Sequence, residues 1–113
     1  MGTGTTLVLS KCAVTNNYCG KKGAGIILSS GTDWVDDPGA ALVLHDSTFI
    51  NNTAELDNAG VINVESFASV VIEGDGNTFA FNSCGSQGGV LAASSDSRVT
   101  VDGGLFFGND GGE

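Results

Sequence analysis

The sequence predicts an all-β fold: a short right-handed parallel β-helix, or solenoid, of about four coils with three short strands per coil. Three observations predict it. A Phe-x-x-Asn tetrapeptide recurs at Phe49–Asn52, Phe79–Asn82 and Phe106–Asn109, with a weaker copy at Val14–Asn17. The apolar runs are only three to five residues long, rich in Val and Ile, and bounded by Gly, Asn, Asp and Ser. No longer window carries a helical period.

The repeat fixes the order of elements in each unit. A first run, Leu7-Val8-Leu9, Leu42-Val43-Leu44, Val70-Val71-Ile72 or Val99-Thr100-Val101, precedes the tetrapeptide. A third run follows it after a Gly: Gly25-Ile26-Ile27-Leu28, Gly60-Val61-Ile62-Asn63 and Gly89-Val90-Leu91-Ala92. The anchors at positions 14, 49, 79 and 106 are 35, 30 and 27 residues apart. A period near 30 made of strand and turn signals is a repeat-protein signature, and its irregularity maps to loops. Units this short leave no room for crossover helices, which excludes an α/β fold. A meander sandwich is the structural rival. Parallel stacking is preferred because equivalent residues then recur roughly every 4.8 Å, and the connection rule favours the right hand. The expected coils are residues 5–30, 41–68, 69–96 and 97–113 of a single domain, 1–113, with a loop insertion at 30–39.

The tetrapeptide has a physical rationale. Phe49, Phe79 and Phe106 point inward and stack from coil to coil. Asn17, Asn52, Asn82 and Asn109 lie at a corner, where each side-chain amide donates to one coil and accepts from the other. Asn also tolerates the left-handed backbone expected at a bend.

This combination resembles the repeats of chlamydial polymorphic outer membrane proteins, whose FxxN and GGA(I/L/V) tetrapeptides belong to pectin-lyase-like right-handed β-helices. The FxxN half matches three times; the other half is looser, at Ala24-Gly25-Ile26-Ile27, Ala59-Gly60-Val61-Ile62 and Gly88-Gly89-Val90-Leu91. The resemblance spans about Leu7 to Gly112. It implies surface display and adhesion, at an extracellular or cell-surface location or within a larger membrane-associated assembly, and it makes the Phe and Asn positions motif residues. Physically, those residues are spent on core and ladder.

Composition bounds the partners. Thirteen acids against four bases give a net charge of −9. A basic stripe for nucleic acid is absent, and polyuronate chains would be repelled. No apolar run is long enough to span a membrane as a helix. Four coils stand only about 20 Å tall. No capping helix is legible at either end, so the expectation is a piece of a longer solenoid or ends that pack on other subunits. The cysteines are Cys12, Cys19 and Cys84. Cys19 and Cys84 share a repeat column with Ala54 between them. They would lie about 9.6 Å apart, beyond disulfide reach; a Cys12–Cys19 bond stays open.

Catalysis finds little support. Arg98 is the only Arg, and Lys11, Lys21 and Lys22 all fall in the first coil. Asp36-Asp37 are adjacent in a loop rather than facing each other across a groove. His45, the only His, projects outward with Ser10, Glu73 and Asp102, without a nucleophile to serve. No cofactor is expected, and no Cys/His spacing fits zinc.

The candidate interaction residues are those the repeat does not absorb. The insertion Ser30–Gly39 holds the only Trp, the only Pro and three acids. Trp34, with Asp33, Asp36 and Asp37, can anchor a partner protein, stack on a sugar, hold Ca²⁺, or fold over the wall. Strand alternation sends Val8, Val43 and Val71 outward, a stripe suited to docking. Placing Ile27, Ile62 and Leu91 inward sends Ile26, Val61 and Val90 outward as a second stripe. Asn51-Asn52-Thr53 is a glycosylation sequon by pattern. The expected function is a non-enzymatic structural and interaction module, an adhesive element or accessory subunit contacting protein subunits or a cell-surface protein. A carbohydrate-binding module using the Trp34 loop is the alternative.

Overall fold

A computed structural model of the chain describes residues 4–20, 26–28, 39–56, 60–86, 88–93 and 96–112. Among them every regular element is a strand. The first unit contributes β1 (Thr6–Ser10), β2 (Ala13–Thr15), β3 (Tyr18–Cys19) and β4 (Ile26–Leu28). The second contributes β5 (Ala41–His45), β6 (Thr48–Ile50), β7 (Thr53–Ala54) and β8 (Ile62–Val64). The third contributes β9 (Ser69–Glu73), β10 (Thr78–Ala80), β11 (Ser83–Cys84) and β12 (Leu91–Ala93). The fourth contributes β13 (Arg98–Asp102) and β14 (Leu105–Phe107), with a single bridge from Asp110 to Ser83.

Each of the first three units thus has four strands, where the sequence predicts three. The extra one is the two-residue segment just past the ladder Asn. It is too short and too polar to read as an apolar run, but it pairs directly with its equivalents.

The strands form four sheets, ordered β1-β5-β9-β13, β2-β6-β10-β14, β3-β7-β11 and β4-β8-β12. Every pairing is parallel, so each strand lies beside its equivalent in the next unit. The repeat fixes this register because a one-residue slip would turn the apolar set to the opposite face. Burial alternates accordingly: Leu42, Leu44, Val70 and Ile72 are buried, while the residues between them are partly open. With Phe49, Phe79, Val61, Ile62 and Val64 they form one apolar core.

The tetrapeptide builds the centre of this core. Phe49 and Phe79 stack with ring centroids 4.8 Å apart and planes 5° from parallel, and Phe79 and Phe106 repeat this at 4.7 Å and 5°. Val14 takes the Phe position in the first unit, in register with Phe49. Three residues on, the side-chain amides form a continuous chain. Nδ2 of Asn17 donates to Oδ1 of Asn52 at 2.9 Å, Asn52 to Asn82 at 2.9 Å, and Asn82 to Asn109 at 3.0 Å. The second Nδ2 hydrogen of Asn52, Asn82 and Asn109 goes back to the carbonyl of Val14, Phe49 and Phe79. Each Oδ1 also accepts the main-chain N–H of the preceding ladder Asn. Asn52 and Asn82 are fully buried yet have their donors and acceptors engaged, which makes burial of an amide tolerable.

One sequence expectation is corrected at this corner. The ladder Asn residues do not adopt the left-handed conformation; the residue before each does. Asn16, Asn51, Phe81 and Gly108 have φ of 58°, 58°, 56° and 64°. The sharp turn is made one residue early, leaving the ladder Asn free to aim its amide along the stack. Phe81 is the misfit, since a left-handed L-residue costs about 1–2 kcal/mol. Its ring is held by an edge-to-face contact with Phe107 at 5.3 Å and lies over Gly108, where a Cβ would come within 2.6 Å of it.

The third strand brings a second correction. Ile26, not Ile27, is in register with Ile62 and Leu91. Ile26 packs partly buried against the core, and Val61 and Ile62 are both fully buried. The expected outward stripe of Ile26, Val61 and Val90 therefore does not form. The glycines before β8 and β12 are points of close approach. A Cβ on Gly60 would lie 2.8 Å from the main-chain N of Ser83, and one on Gly89 would lie 2.7 Å from that of Asp110. The main chains touch where the pattern alone reads a strand start.

Candidate interaction surfaces

The solvent side of the β1-β5-β9-β13 sheet is laid out in columns by the parallel register. Val8, Val43, Val71 and Thr100 form the middle column. Val8 is 55% exposed, while Val43 and Val71 are half-buried. On one side runs Thr6, Ala41, Ser69 and Arg98; on the other run Ser10, His45, Glu73 and Asp102. The arrangement is an apolar stripe of three valines between columns that are polar except for Ala41. The structure brings together Val8, Val43 and Val71 as the sequence expects. Trp34, Asp33, Asp36 and Asp37 lie outside the described residues.

The polar margins are structured. Nε2 of His45 lies 3.3 Å from a carboxylate oxygen of Glu73. Both side chains are partly open to solvent, so the pair contributes at most about 1 kcal/mol. At the other margin a hollow of about 260 Å³ opens between Gly39, Phe67, Ser69 and Arg98. Its rim is a turn in which Ser66 and Phe67 both have positive φ, closed by Ala68 N donating to the Glu65 carbonyl. Gly39 packs on this turn: a Cβ there would be 2.7 Å from Ala68 N. No three His, Cys, Asp or Glu side chains gather as a metal set among the described residues.

Residues missed by sequence reasoning lie at the other corner. Nδ2 of Asn77 donates to the carbonyls of Leu44 and Glu73, and its Oδ1 accepts Ser47 N–H at 3.0 Å. Ser47 Oγ in turn accepts Cys12 N–H at 3.2 Å. This is a second, shorter ladder, hidden because its positions hold different residues; Asn77 reads as part of a Gly-rich turn. Asn63 was also missed. It is buried between Ile62 and Val64, and its Nδ2 has no hydrogen-bond partner among the described residues.

The cysteine column is as expected: Cys19, Ala54 and Cys84 are in register, and all three cysteines are thiols. Tyr18, 66% exposed, donates its hydroxyl to Glu55. That hydrogen bond, with some desolvation and the repulsion a tyrosinate would feel from the carboxylate, raises its pKa above 10.0. The sequon splits: Asn51 is exposed and donates to Asn16 Oδ1 at 2.8 Å, whereas Asn52 is locked in the ladder.

The edges present a different surface. Val99, Val101, Leu105, Phe106 and Phe107 of the last unit are all exposed, and Phe81 joins them at 57%. No described helix is long and apolar enough to cross a membrane. Comparison with family models, with curated proteins and with solved structures returned no match.

Proposed function

We propose that the units wind as coils of a right-handed parallel β-helix and that the chain is a non-enzymatic structural and interaction module. It acts as an adhesive element or accessory subunit, docking on other proteins through its walls and ends. The winding is supported by parallel pairing of every strand with its equivalent one unit later; the hand is supported by the connection rule. The observation that carries the docking reading is the Val8–Val43–Val71 column between two columns that are polar except for Ala41. β-Branched residues are favourable in strands anywhere, but three in register on one open face also make a continuous apolar stripe. The reading agrees with the surface-display role implied by the resemblance to chlamydial polymorphic outer membrane repeats.

The test is a triple substitution, Val8→Glu, Val43→Glu and Val71→Glu. It is expected to keep the far-UV circular dichroism spectrum and to release a protein that copurifies stoichiometrically with the wild-type chain from its source cells. If the same companion stays bound, the wall is not the docking face. The carbohydrate alternative rests on Trp34 and is favoured instead if Trp34→Ala abolishes binding to a polysaccharide panel.

A further inference from the structure

We infer that two copies of this chain associate head to tail, the fourth unit of one receiving the first unit of the next. The inference rests on the interaction-module reading and names one partner for its ends. It is carried by the polarity of the Asn ladder. Inside the stack, each Oδ1 takes two hydrogen bonds, from the N–H and the Nδ2 of the preceding Asn. At the last unit, Asn109 spends one Nδ2 hydrogen on the Phe79 carbonyl. Its main-chain N–H and other Nδ2 hydrogen have no acceptor within the described residues. At the first unit, Asn17 donates to Asn52, while its own Oδ1 receives nothing within the described residues. One end thus offers two donors, and the other offers the acceptor that takes two. In the reverse direction, the remaining Nδ2 hydrogen of Asn17 suits the Phe106 carbonyl, as that of Asn52 suits Val14.

The apolar surfaces match in the same orientation. Phe106, 43% exposed and stacked on Phe79 by its other face, would meet Val14 of the second copy. The precedent is Val14 against Phe49 within one chain. Val99 and Val101 would meet Leu7 and Leu9, which line up with Leu42 and Leu44. A tail-to-tail two-fold pairing would instead face Asn109 donors with donors. It would also align one sheet at most, because the remaining edges run in other directions. Head-to-tail stacking extends the β1-β5-β9-β13 and β2-β6-β10-β14 sheets together in parallel, and such a heterologous contact propagates unless blocked.

Like charge opposes the association, since each copy carries −9. Screening relieves that repulsion, so assembly strengthens with salt.

The experiment is sedimentation velocity on the purified chain across concentration, at low and high salt, with two end-blocked variants. Val101→Lys with Phe106→Lys blocks the last unit; Leu9→Lys with Val14→Lys blocks the first. Wild type is expected to reach at least twice the single-chain mass, more readily at high salt. Each variant alone stays single, and their mixture forms a one-to-one dimer that grows no further. Asn109→Asp, which keeps the acceptors for Asn82 but loses the side-chain donor, weakens wild-type assembly at least tenfold and serves if the double variants lose their strand spectrum. A single-chain mass for wild type under all conditions overturns the inference. So does dimerisation of the first-unit-blocked variant by itself, which would mean tail-to-tail contact. Neither result touches the wall, whose companion would still be released by the valine substitutions.

Discussion

Asn52 donates its side-chain amide to Asn82 at 2.9 Å, and both residues are fully buried. The relationship makes the ladder a set of mutual dependencies. Removing the Asn82 side chain strands the N–H and one Nδ2 hydrogen of Asn52, takes a donor from the Phe49 carbonyl, and leaves Oδ1 of Asn109 with one of its two hydrogen bonds. Asn82→Ala should therefore cost about 3–5 kcal/mol, because each abandoned buried group carries roughly 1–3 kcal/mol of desolvation, partly relieved by entering water. Asn109→Ala at the open edge, where water reaches the groups, should cost only about 1 kcal/mol. Urea unfolding of the two variants checks the ratio; equal losses would mean the ladder is not a buried network.

The corner residue before the ladder obeys a different rule. Asn51 sits at φ 58° and bonds Asn16. Asn51→Gly should lie within about 0.5 kcal/mol of wild type, since Gly accepts that conformation freely. Asn51→Val should lose about 2 kcal/mol, because a β-branched residue is a steric outlier there. Thermal melts separate them.

Gly60 is required for space, not for conformation. Its hypothetical Cβ meets main-chain atoms of Ser83 and Gly89, neither of which can swing aside. Gly60→Ala should push the second and third units apart and lower stability by about 3 kcal/mol or more, at the upper end of overpacking costs. Exposed Gly20, with nothing near its Cβ direction, is the control: Gly20→Ala should unfold at nearly the wild-type urea concentration.

Tyr18 gives a pH signature. It is the only tyrosine, so absorbance at 295 nm follows it alone. Its midpoint should fall above 10.0, and Glu55→Gln should bring it back toward that value. The folded pKa is raised, so the native state holds the proton more tightly. The contribution is complete below the unfolded value and is lost as pH rises through the folded one. Wild type should therefore lose stability in alkali above pH 10 more steeply than Glu55→Gln.

The sequence by itself determined the all-β class, the order of the units, the stacked Phe column, the Asn ladder and the inward and outward faces of the first strand. Each of these is a local periodicity repeated, and a repeat aligned with itself specifies its own neighbours. Tertiary structure decided the rest. Whether Ile26 or Ile27 aligns with Ile62 is settled by the pairing of β4 with β8, which the spacing from a glycine does not encode. The second ladder of Ser47 and Asn77 joins unlike residues that only register makes equivalent. The left-handed turn falls on Asn51 rather than Asn52 because the buried amide must point along the stack, a constraint that arises only once a neighbouring strand is in place. The polarity of the two ends is likewise tertiary: Asn17 and Asn109 are the same residue type, and only their positions at opposite edges of the stack make one an acceptor and the other a donor.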